Sequence, residues 1–410
     1  MRSGTEPSAT SPAGVDELRA LQLARLRAGL TQVLATNAFW RSRLHSVSGW
    51  DDFDRLPLTT KSELIDDQSA HPPFGTNLTH PLDRYVRLHQ TSGSSGDQPL
   101  RWLDTEESWE WWERIWAEHV YPAAGVDAAD RVFFAFSFGP FIGFWSAFGG
   151  AQRIGALCVS GGAMTSEQRV RNMLDVGATV LLSTPTYALR LAGVAEEIGV
   201  NISAVGIRKT IHAGEPGASI PSTRAAIEAA YSAEAYDHTG MTELGPTGFS
   251  CAARDGVHLI ESEFIFEVAD DGELIATNLG RWGTPLIRYR TGDRVVVSRE
   301  ACSCGSPFLK IAGGIQGRVD DMFTVRGVNL FSSQVEDIVR RYGVGEFVIE
   351  HRREREMDEV TLVIEAAPSF SAERLMADLR QALGVRLECR VVAAGTLPRE
   401  ELKSRRLVRK

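Results

Sequence analysis

Basic residues are outnumbered in this sequence, with 44 Lys and Arg against 53 Asp and Glu and a formal net charge of −9 at pH 7. An acidic chain has no electrostatic reason to bind nucleic acid or an anionic membrane, so we expect neither as a partner. This overall charge is still compatible with a local basic pocket for a nucleotide.

Cysteine is scarce, with five residues among 410. An odd number of cysteines in a long acidic chain is a poor basis for a disulfide framework and fits a reducing compartment. The first residues, MRSGTEPSATSPAGVDE, lack the basic and then apolar pattern of a secretory signal. We therefore expect a cytoplasmic protein in which residues 1–14 are a disordered lead-in.

Charge is absent from one stretch, residues 132–152, that approaches the length of a membrane span. It reads VFFAFSFGPFIGFWSAFGGAQ and is interrupted by Pro140 and four glycines. Such a run is better explained by a buried strand, a glycine-rich turn and a buried helix.

The order of apolar patterns predicts a two-domain α/β protein. Residues 15–46 have helical spacing, and residues 130–250 alternate short apolar strands with helices, as parallel strands with crossover helices do. Strands follow one another closely after residue 255, which indicates a small β subdomain. We expect a large domain of mixed sheets and helices over 15–317 and a small, mobile α+β domain over 318–410.

Two stretches have residue types that suit nucleotide chemistry. The run from Thr91 to Gly96, TSGSSG, can turn backbone N–H groups and hydroxyls inward around an anion, although an ordinary Gly/Ser turn is the alternative. It is not a P-loop, because no Gly-Lys-Ser/Thr follows. The run from Tyr236 to Glu243, YDHTGMTE, offers a stacking ring, hydroxyls and carboxylates for Mg²⁺. Its alternative is a helix N-terminus capped by Thr239 or Thr242.

Three later stretches complete an ordered series. They are YRTGD ending at Asp293, GRVDD around Asp320, and a basic C-terminal cluster that contains Lys403. With these gaps, the five stretches resemble the acyl-adenylate-forming superfamily, and within it the phenylacetate-CoA ligase family. The resemblance covers nearly the whole chain and includes LRALQLARLR, LPLTTKSEL, STPTYAL, AGEPG and, most specifically, GRVDDMFTVRGVNLFSSQVEDI.

The resemblance implies ATP, Mg²⁺ and CoA as cosubstrates and cofactors, and it assigns roles to individual residues. The β- and γ-phosphates would be held by Thr91, Ser92, Gly93, Ser94, Ser95 and Gly96. The adenine pocket would be lined by Gly214, Glu215, Pro216, Tyr236 and Asp237. Thr242 would contact the α-phosphate, Glu243 would hold Mg²⁺, and Asp293 with Arg318 would bind the ribose.

The small domain has its own implied roles. Lys403 would neutralise the α-phosphate and the substrate carboxylate, Asp320 would be the hinge, and Gly327 would lie near the CoA entrance. Two anions must be aligned for attack at phosphorus, so charge neutralisation matters more than acid–base catalysis. The phosphate loop lacks the Lys that relatives commonly have before its Pro, and the segment before Lys403 is acidic where relatives are more flexible. These departures weaken the predicted pyrophosphate contacts and Lys403 docking.

Two further side-chain sets carry predictions. Cys251, His258, Cys302 and Cys304 form a Cys₃His set suited to tetrahedral zinc, with unrelated thiols and a surface His as the alternative. Some phenylacetate-CoA ligases have this spacing, which implies a structural Zn²⁺. An aryl acid pocket is expected around Phe136, Phe138, Gly139, Phe141 and Trp145, with His212 and His238 as polar candidates. Core packing is the alternative for each of these residues.

The sequence is compatible with three functions. The leading one is an aryl acid–CoA ligase. The second keeps the adenylation and changes the acceptor to a carrier-protein thiol or an amine, or activates nitrite for diazotisation of an aryl amine. The third is a catalytically silent nucleotide-binding protein, against which the presence of Glu243, Asp293, Arg318 and Lys403 argues. The sequence does not specify the acid, and a homodimer is compatible with the resemblance.

Overall fold

The computed structural model describes residues 14–91, 99–318, 322–325, 328–354, 357–367, 370–385, 387–398 and 406–409. The helices are α1 (Val15–Thr36), α2 (Ala38–Arg41), α3 (Trp50–Asp54), α4 (Lys61–Ala70), α5 (Glu106–Ile115), α6 (Tyr121–Ala123), α7 (Trp145–Arg153), α8 (Ser166–Asp175), α9 (Pro185–Glu197), α10 (Pro221–Tyr231), α11 (Ser332–Arg341) and α12 (Ala372–Leu383). A π-helical turn, Trp116–Val120, joins α5 to α6.

The strands are short and numerous. In chain order they are β1 (Tyr85–Gln90), β2 (Arg101–Thr105), β3 (Arg131–Phe134), β4 (Leu157–Ser160), β5 (Val180–Ser183), β6 (Lys209–His212), β7 (Glu234–Met241), β8 (Gly245–Phe249), β9 (Gly256–Leu259), β10 (Phe264–Val268), β11 (Glu273–Asn278), β12 (Tyr289–Arg294), β13 (Val297–Ser298), β14 (Lys310–Ala312), β15 (Gly317–Arg318), β16 (Phe323–Val325), β17 (Val328–Leu330), β18 (Phe347–Glu354), β19 (Met357–Glu365), β20 (Glu388–Val392) and β21 (Leu407–Arg409).

A nine-stranded sheet with the order β13-β14-β9-β8-β7-β6-β5-β3-β4 forms the centre of the large unit. The five neighbouring strands β4, β3, β5, β6 and β7 are parallel. On the other side of β7, the strands β8, β9, β14 and β13 continue the sheet in antiparallel pairs. The predicted mixed α/β class is therefore confirmed. Because ligands bind outside the carboxyl ends of parallel strands, the loops after β3, β5, β6 and β7 are the expected place for a site.

The first long helix is shorter than the sequence predicts. Helix α1 ends at Thr36 rather than near residue 46. Asn37 takes an extended conformation and its side chain accepts a hydrogen bond from the backbone N–H of Trp40, which starts α2. The Asn37 amide also donates to Asn77 and Thr79, and Asn37 is fully buried. A helix break stabilised by contacts 40 residues away is invisible in local periodicity.

The uncharged run of residues 132–152 folds as predicted. It forms most of β3, a turn and most of α7, and the Val132, Phe133 and Phe134 side chains of β3 are fully buried. Within the described part of the chain, no helix combines the length and the apolar character needed to cross a membrane.

The remaining strands form smaller sheets. The order β10-β11-β12-β15 is antiparallel throughout, which agrees with the predicted change of pattern after residue 255. The C-terminal unit has the sheet β20-β19-β18-β21 covered by α11 and α12, with its own apolar core. It contacts the large unit where the Asp337 carboxylate of α11 accepts from the Ser222 N–H in the first turn of α10. The domain boundary at residue 318 stays a prediction.

Candidate active site

The β1–β2 hairpin frames the predicted phosphate loop. At its base the Thr91 N–H donates to the Leu100 carbonyl at 2.9 Å, and the Thr91 hydroxyl accepts from the Leu100 N–H at 3.0 Å. Because Thr91 is buried, these two hydrogen bonds are shielded from water and hold the two ends of the loop together. The predicted site residues Ser92, Gly93, Ser94, Ser95, Gly96, Asp320, Gly327 and Lys403 lie outside the described residues.

The loop after β6 carries the predicted adenine residues. Gly214 has a positive φ of 96°, which a residue with a Cβ adopts only with strain. The next side chain, Glu215, accepts from the Thr186 N–H at 3.0 Å, in the first turn of α9. A carboxylate there satisfies a free helix N–H and complements the helix dipole, so this loop is tied to the end of β5. Pro216 follows directly.

Asp237 lies inside this part of the site. Its carboxylate accepts from the Ser219 N–H at 3.0 Å, from the Ser219 hydroxyl and from the His238 N–H at 3.1 Å. Burial raises the pKa of Asp237 to about 6, and the hydrogen bonds from Ser219 partly oppose that shift. Tyr236 precedes it on β7, and neighbouring strand residues point to opposite faces. The Tyr236 hydroxyl donates to Glu234 at 3.0 Å, and the role of Tyr236 at the adenine stays a prediction.

Thr242 and Glu243 occupy the tight turn between β7 and β8. The antiparallel pairs Gly240 with Pro246 and Met241 with Gly245 close that turn. A Cβ at Gly240 would lie 2.8 Å from the Gly245 carbonyl oxygen, so only glycine fits there. The alternative of a capped helix N-terminus at this point is wrong. The Glu243 side chain is buried, and its charge adds to burial in raising the pKa of Tyr289.

A buried ion pair beneath this turn was not predicted. Arg281 and Asp104 are both fully buried, and Arg281 donates to the carbonyl oxygens of Thr242 and Glu243. The two partners are 177 residues apart, in segments without a recognisable motif. Neither residue stands in a sequence pattern that would indicate its partner.

The predicted ribose residues meet across a strand pair. Asp293 of β12 lies opposite Arg318 of β15, and their side chains are 3.7 Å apart. The Asp293 N–H donates to the Thr291 hydroxyl at 3.0 Å, which fixes the strand end. The structure therefore brings together the carboxylate and the cation assigned to one sugar.

Aromatic rings line the exit of β3. The Phe138 ring centroid lies 4.8 Å from that of Trp145 and 5.4 Å from that of Phe136. Phe138 has a positive φ of 45°, a strained conformation that persists only where surrounding packing enforces it. Gly139 accepts from the Trp145 indole N–H at 3.3 Å, and Phe141 lies beside it. The predicted pocket residues of this loop are thus neighbours.

The two candidate histidines differ in their partners. Both ring nitrogens of His212 have protein partners, Thr210 at 2.8 Å and Ser183 at 3.3 Å, so its polar groups are occupied. His238 is buried, its ring centroid lies 4.2 Å from that of Trp116 with the rings tilted by 45°, and its Nδ1 has no hydrogen-bond partner within the described residues. Burial lowers the pKa of His238 to about 3, so the ring is neutral. A series of ring contacts, from Trp116 to Phe144 and from Phe144 to Phe136, connects His238 to the aromatic rings after β3.

The four predicted metal ligands converge. The Cys251 and Cys302 sulfurs are 3.6 Å apart, and the Cys304 sulfur lies 3.4 Å from His258 Nε2, with all four ligand atoms within 4.8 Å of one another. Tetrahedral zinc with Zn–S near 2.3 Å would require sulfur–sulfur and sulfur–nitrogen separations of about 3.8 and 3.6 Å. The other His258 nitrogen lies 3.4 Å from the Phe308 carbonyl oxygen, a typical orienting contact of a metal ligand.

Known proteins resemble this chain over its length. Residues 327–410 match the AMP-binding enzyme C-terminal domain. A phenylacetate-coenzyme A ligase of Thermus thermophilus is 28% identical to this chain, and the match covers 94% of this chain and 95% of the ligase. A crystal structure of 2-hydroxyisobutyryl-CoA ligase in the postadenylation state, in complex with 2-HIB-AMP, superposes with a TM-score of 0.91 at 27% identity, covering 99% of this chain and 94% of that one. The chain is thus similar over nearly its whole length to phenylacetate-CoA ligases and to a CoA ligase solved with an acyl adenylate.

A second form of the same ligase shows which arrangement of its parts this chain resembles more. An open form of 2-hydroxyisobutyryl-CoA ligase with 2-HIB-AMP and CoA, at 27% identity and covering 98% of this chain and 96% of that one, gives a TM-score of 0.74. Since the protein compared is the same, the lower score reflects how its parts are arranged. The present structure is therefore more similar to the postadenylation form of that ligase than to its open form. The predicted relationship to phenylacetate-CoA ligases is confirmed.

Proposed function

We propose that this enzyme uses ATP and Mg²⁺ to convert a small aromatic carboxylic acid into its acyl-AMP and then transfers the acyl group to CoA, releasing AMP. The observation that carries the proposal is the near-complete superposition on a CoA ligase in complex with an acyl adenylate. Glu243 and Asp293 are both close enough to Tyr289 for their charges to add to burial in raising its pKa, and this proximity supports the proposal.

Attack of a carboxylate on ATP brings two anions together, so the chain must hold the triphosphate and cancel its charge. We assign the base to the pocket beside Asp237, the ribose to Asp293 and Arg318, and the α-phosphate to Thr242. Glu243 would hold Mg²⁺, which neutralises phosphate charge when bound. Lys403 would contribute the second cation from the small domain, and its withdrawal would open the acyl-AMP to the CoA thiol.

The aromatic wall around Phe138 favours a flat acyl group, since aryl rings pack against one another edge to face or offset. The neutral His238 ring, with an uncommitted nitrogen, suits a polar substituent on that group. We therefore expect hydroxy- or amino-substituted aryl acids to be preferred over unsubstituted and aliphatic ones.

Pyrophosphate release from ATP across a panel of acids tests this substrate class. Substituted aryl acids should give the highest kcat/KM, and catalytic turnover should require CoA. A preference for short aliphatic acids would contradict the aryl proposal. Turnover that is independent of CoA, or that needs nitrite with an aryl amine, would be consistent with activation by ATP but would rule out CoA as the acceptor.

We also propose that Cys251, His258, Cys302 and Cys304 hold a structural Zn²⁺. Four protein ligands leave no open coordination position, and the site links the end of β8, strand β9 and the loop before β14. Bound zinc would cross-link these segments and thereby stabilise the fold.

Metal analysis of protein purified without chelators should give about one zinc per chain. Cys302→Ser should bind well below that and melt several degrees lower, since one ligand of the cross-link is lost. Cys389→Ser is the control, because Cys389 is half-buried in the small C-terminal core and should leave the zinc content unchanged. Full zinc occupancy in Cys302→Ser, or none in the unaltered protein, would refute the site.

A further inference from the structure

The guanidinium of Arg281 is held on all sides. Its Nε and Nη2 each donate to one oxygen of Asp104 at 2.7 Å, and its Nη1 donates to the carbonyl oxygens of Thr242 at 2.7 Å and Glu243 at 2.9 Å. Trp102 and Trp112 cover it, with ring centroids 5.1 and 4.9 Å from its central carbon. Four of the five N–H donors of an arginine are thus used, and its position is fixed.

Arg281 connects the two segments that are both assigned to the triphosphate of ATP, the phosphate-loop hairpin and the turn that carries Glu243. Asp104 lies on β2, the strand that leaves the predicted phosphate loop, and the two carbonyl groups belong to the turn that carries Glu243. Fixing these two consecutive carbonyl groups fixes the two peptide planes that flank the Cα of Glu243. The direction of the Glu243 side chain is set with it.

Stability alone does not account for this pair. Two buried charges lose their hydration, and well-packed apolar residues of similar volume often give equal or greater stability. The pair has no net charge, so it does not by itself neutralise the phosphates either. A geometric role explains why a charged, bidentate group is used here.

We propose that Arg281, held by Asp104, is a positioning residue that aligns Glu243 with the phosphate-loop hairpin for Mg²⁺ binding during adenylation. This inference rests on the proposed adenylation. It concerns a residue that contacts neither the substrate nor the metal and acts through the backbone of Thr242 and Glu243.

Arg281→Lys is the principal test variant. One ammonium group cannot satisfy both Asp104 oxygens and both carbonyls, so the turn should lose its alignment while the charge is kept. In acid-dependent pyrophosphate–ATP exchange, the Mg²⁺ concentration for half-maximal rate should rise by about tenfold, the loss of roughly one charged hydrogen bond. The KM for the acid should change little.

Arg288→Lys is a matched control. Arg288 also contacts a carboxylate through Nε and Nη2, on Glu267, and donates through Nη1 to two backbone carbonyls, those of Asp54 and Leu56. None of these partners belongs to the turn that carries Glu243. Its replacement should leave the Mg²⁺ requirement unchanged, and an equal rise in both variants would refute the positioning role.

A double-mutant cycle separates positioning from general damage. With Glu243→Gln in place, Arg281→Lys should have less than about threefold further effect, because its target is already lost. Full additivity in a folded protein would overturn the inference. Should Arg281→Lys fail to fold, Asp104→Glu keeps both charges, displaces the guanidinium by one methylene and should give the same Mg²⁺ shift. An inactive unaltered enzyme would refute the adenylation itself, whereas additive effects in an active enzyme would refute only this inference.

Discussion

Glu243→Gln should reduce acid-dependent pyrophosphate–ATP exchange by about 100- to 1,000-fold, the range seen when one charge-stabilising group is removed from an active site. Gln keeps the size of the side chain and removes the negative charge that a hard cation prefers. Glu243 is buried in a turn whose backbone is held by Arg281, so the substitution should leave that turn in place. The loss should therefore appear in the rate and in the Mg²⁺ requirement.

Exchange kinetics at varied Mg²⁺, with a thermal melt of each sample, measure this effect. Glu300→Gln removes one negative charge from an exposed side chain and should retain full activity. Exchange by Glu243→Gln within about twofold of the unaltered enzyme would contradict the assignment of the metal to this carboxylate.

Asp104→Ala should lower the melting midpoint by about 5–8 °C, which corresponds to roughly 3–5 kcal/mol for a buried pair that loses one partner in a unit of this size. Arg281 would keep a charge in a fully buried site without its carboxylate. Glu167→Ala is the comparison, because its pair with Arg171 on α8 is more than half exposed on both sides. It should shift the midpoint by less than about 2 °C.

A paired replacement, Asp104→Leu with Arg281→Met, separates fold stability from function. Two apolar side chains of similar length should recover much of the lost midpoint, since no unpaired charge remains. The Mg²⁺ requirement should stay raised, because nothing then holds the carbonyls of Thr242 and Glu243. Recovery of both properties would show that the pair stabilises the fold only.

Local patterns were sufficient for much of the fold. The short apolar runs around Phe133, Leu181 and Ile211 became parallel strands because each is buried on both faces of the sheet. Helices α8 and α9 begin at threonine caps that can be read directly from the sequence. The early end of α1 could not be read, since Asn37 is held by Asn77 and Thr79.

The site was predicted less completely, because its geometry depends on long-range contacts. Cys251, His258, Cys302 and Cys304 were grouped by spacing and lie together. The turn at Thr242 could be taken for a helix start, and only the pairing of β7 with β8 decides it. His212 and His238 looked equivalent in sequence, yet only His238 has an uncommitted nitrogen within the described residues. Arg281 and Asp104 had no local sign of partnership.

Acid-dependent exchange of labelled pyrophosphate into ATP, measured without CoA, is the most direct test of the proposed adenylation. We expect exchange that requires Mg²⁺ and an aryl acid, that does not need CoA, and that Glu243→Gln nearly abolishes. A folded enzyme that catalyses no exchange with any acid of the panel would contradict the claim and favour a catalytically silent nucleotide-binding protein.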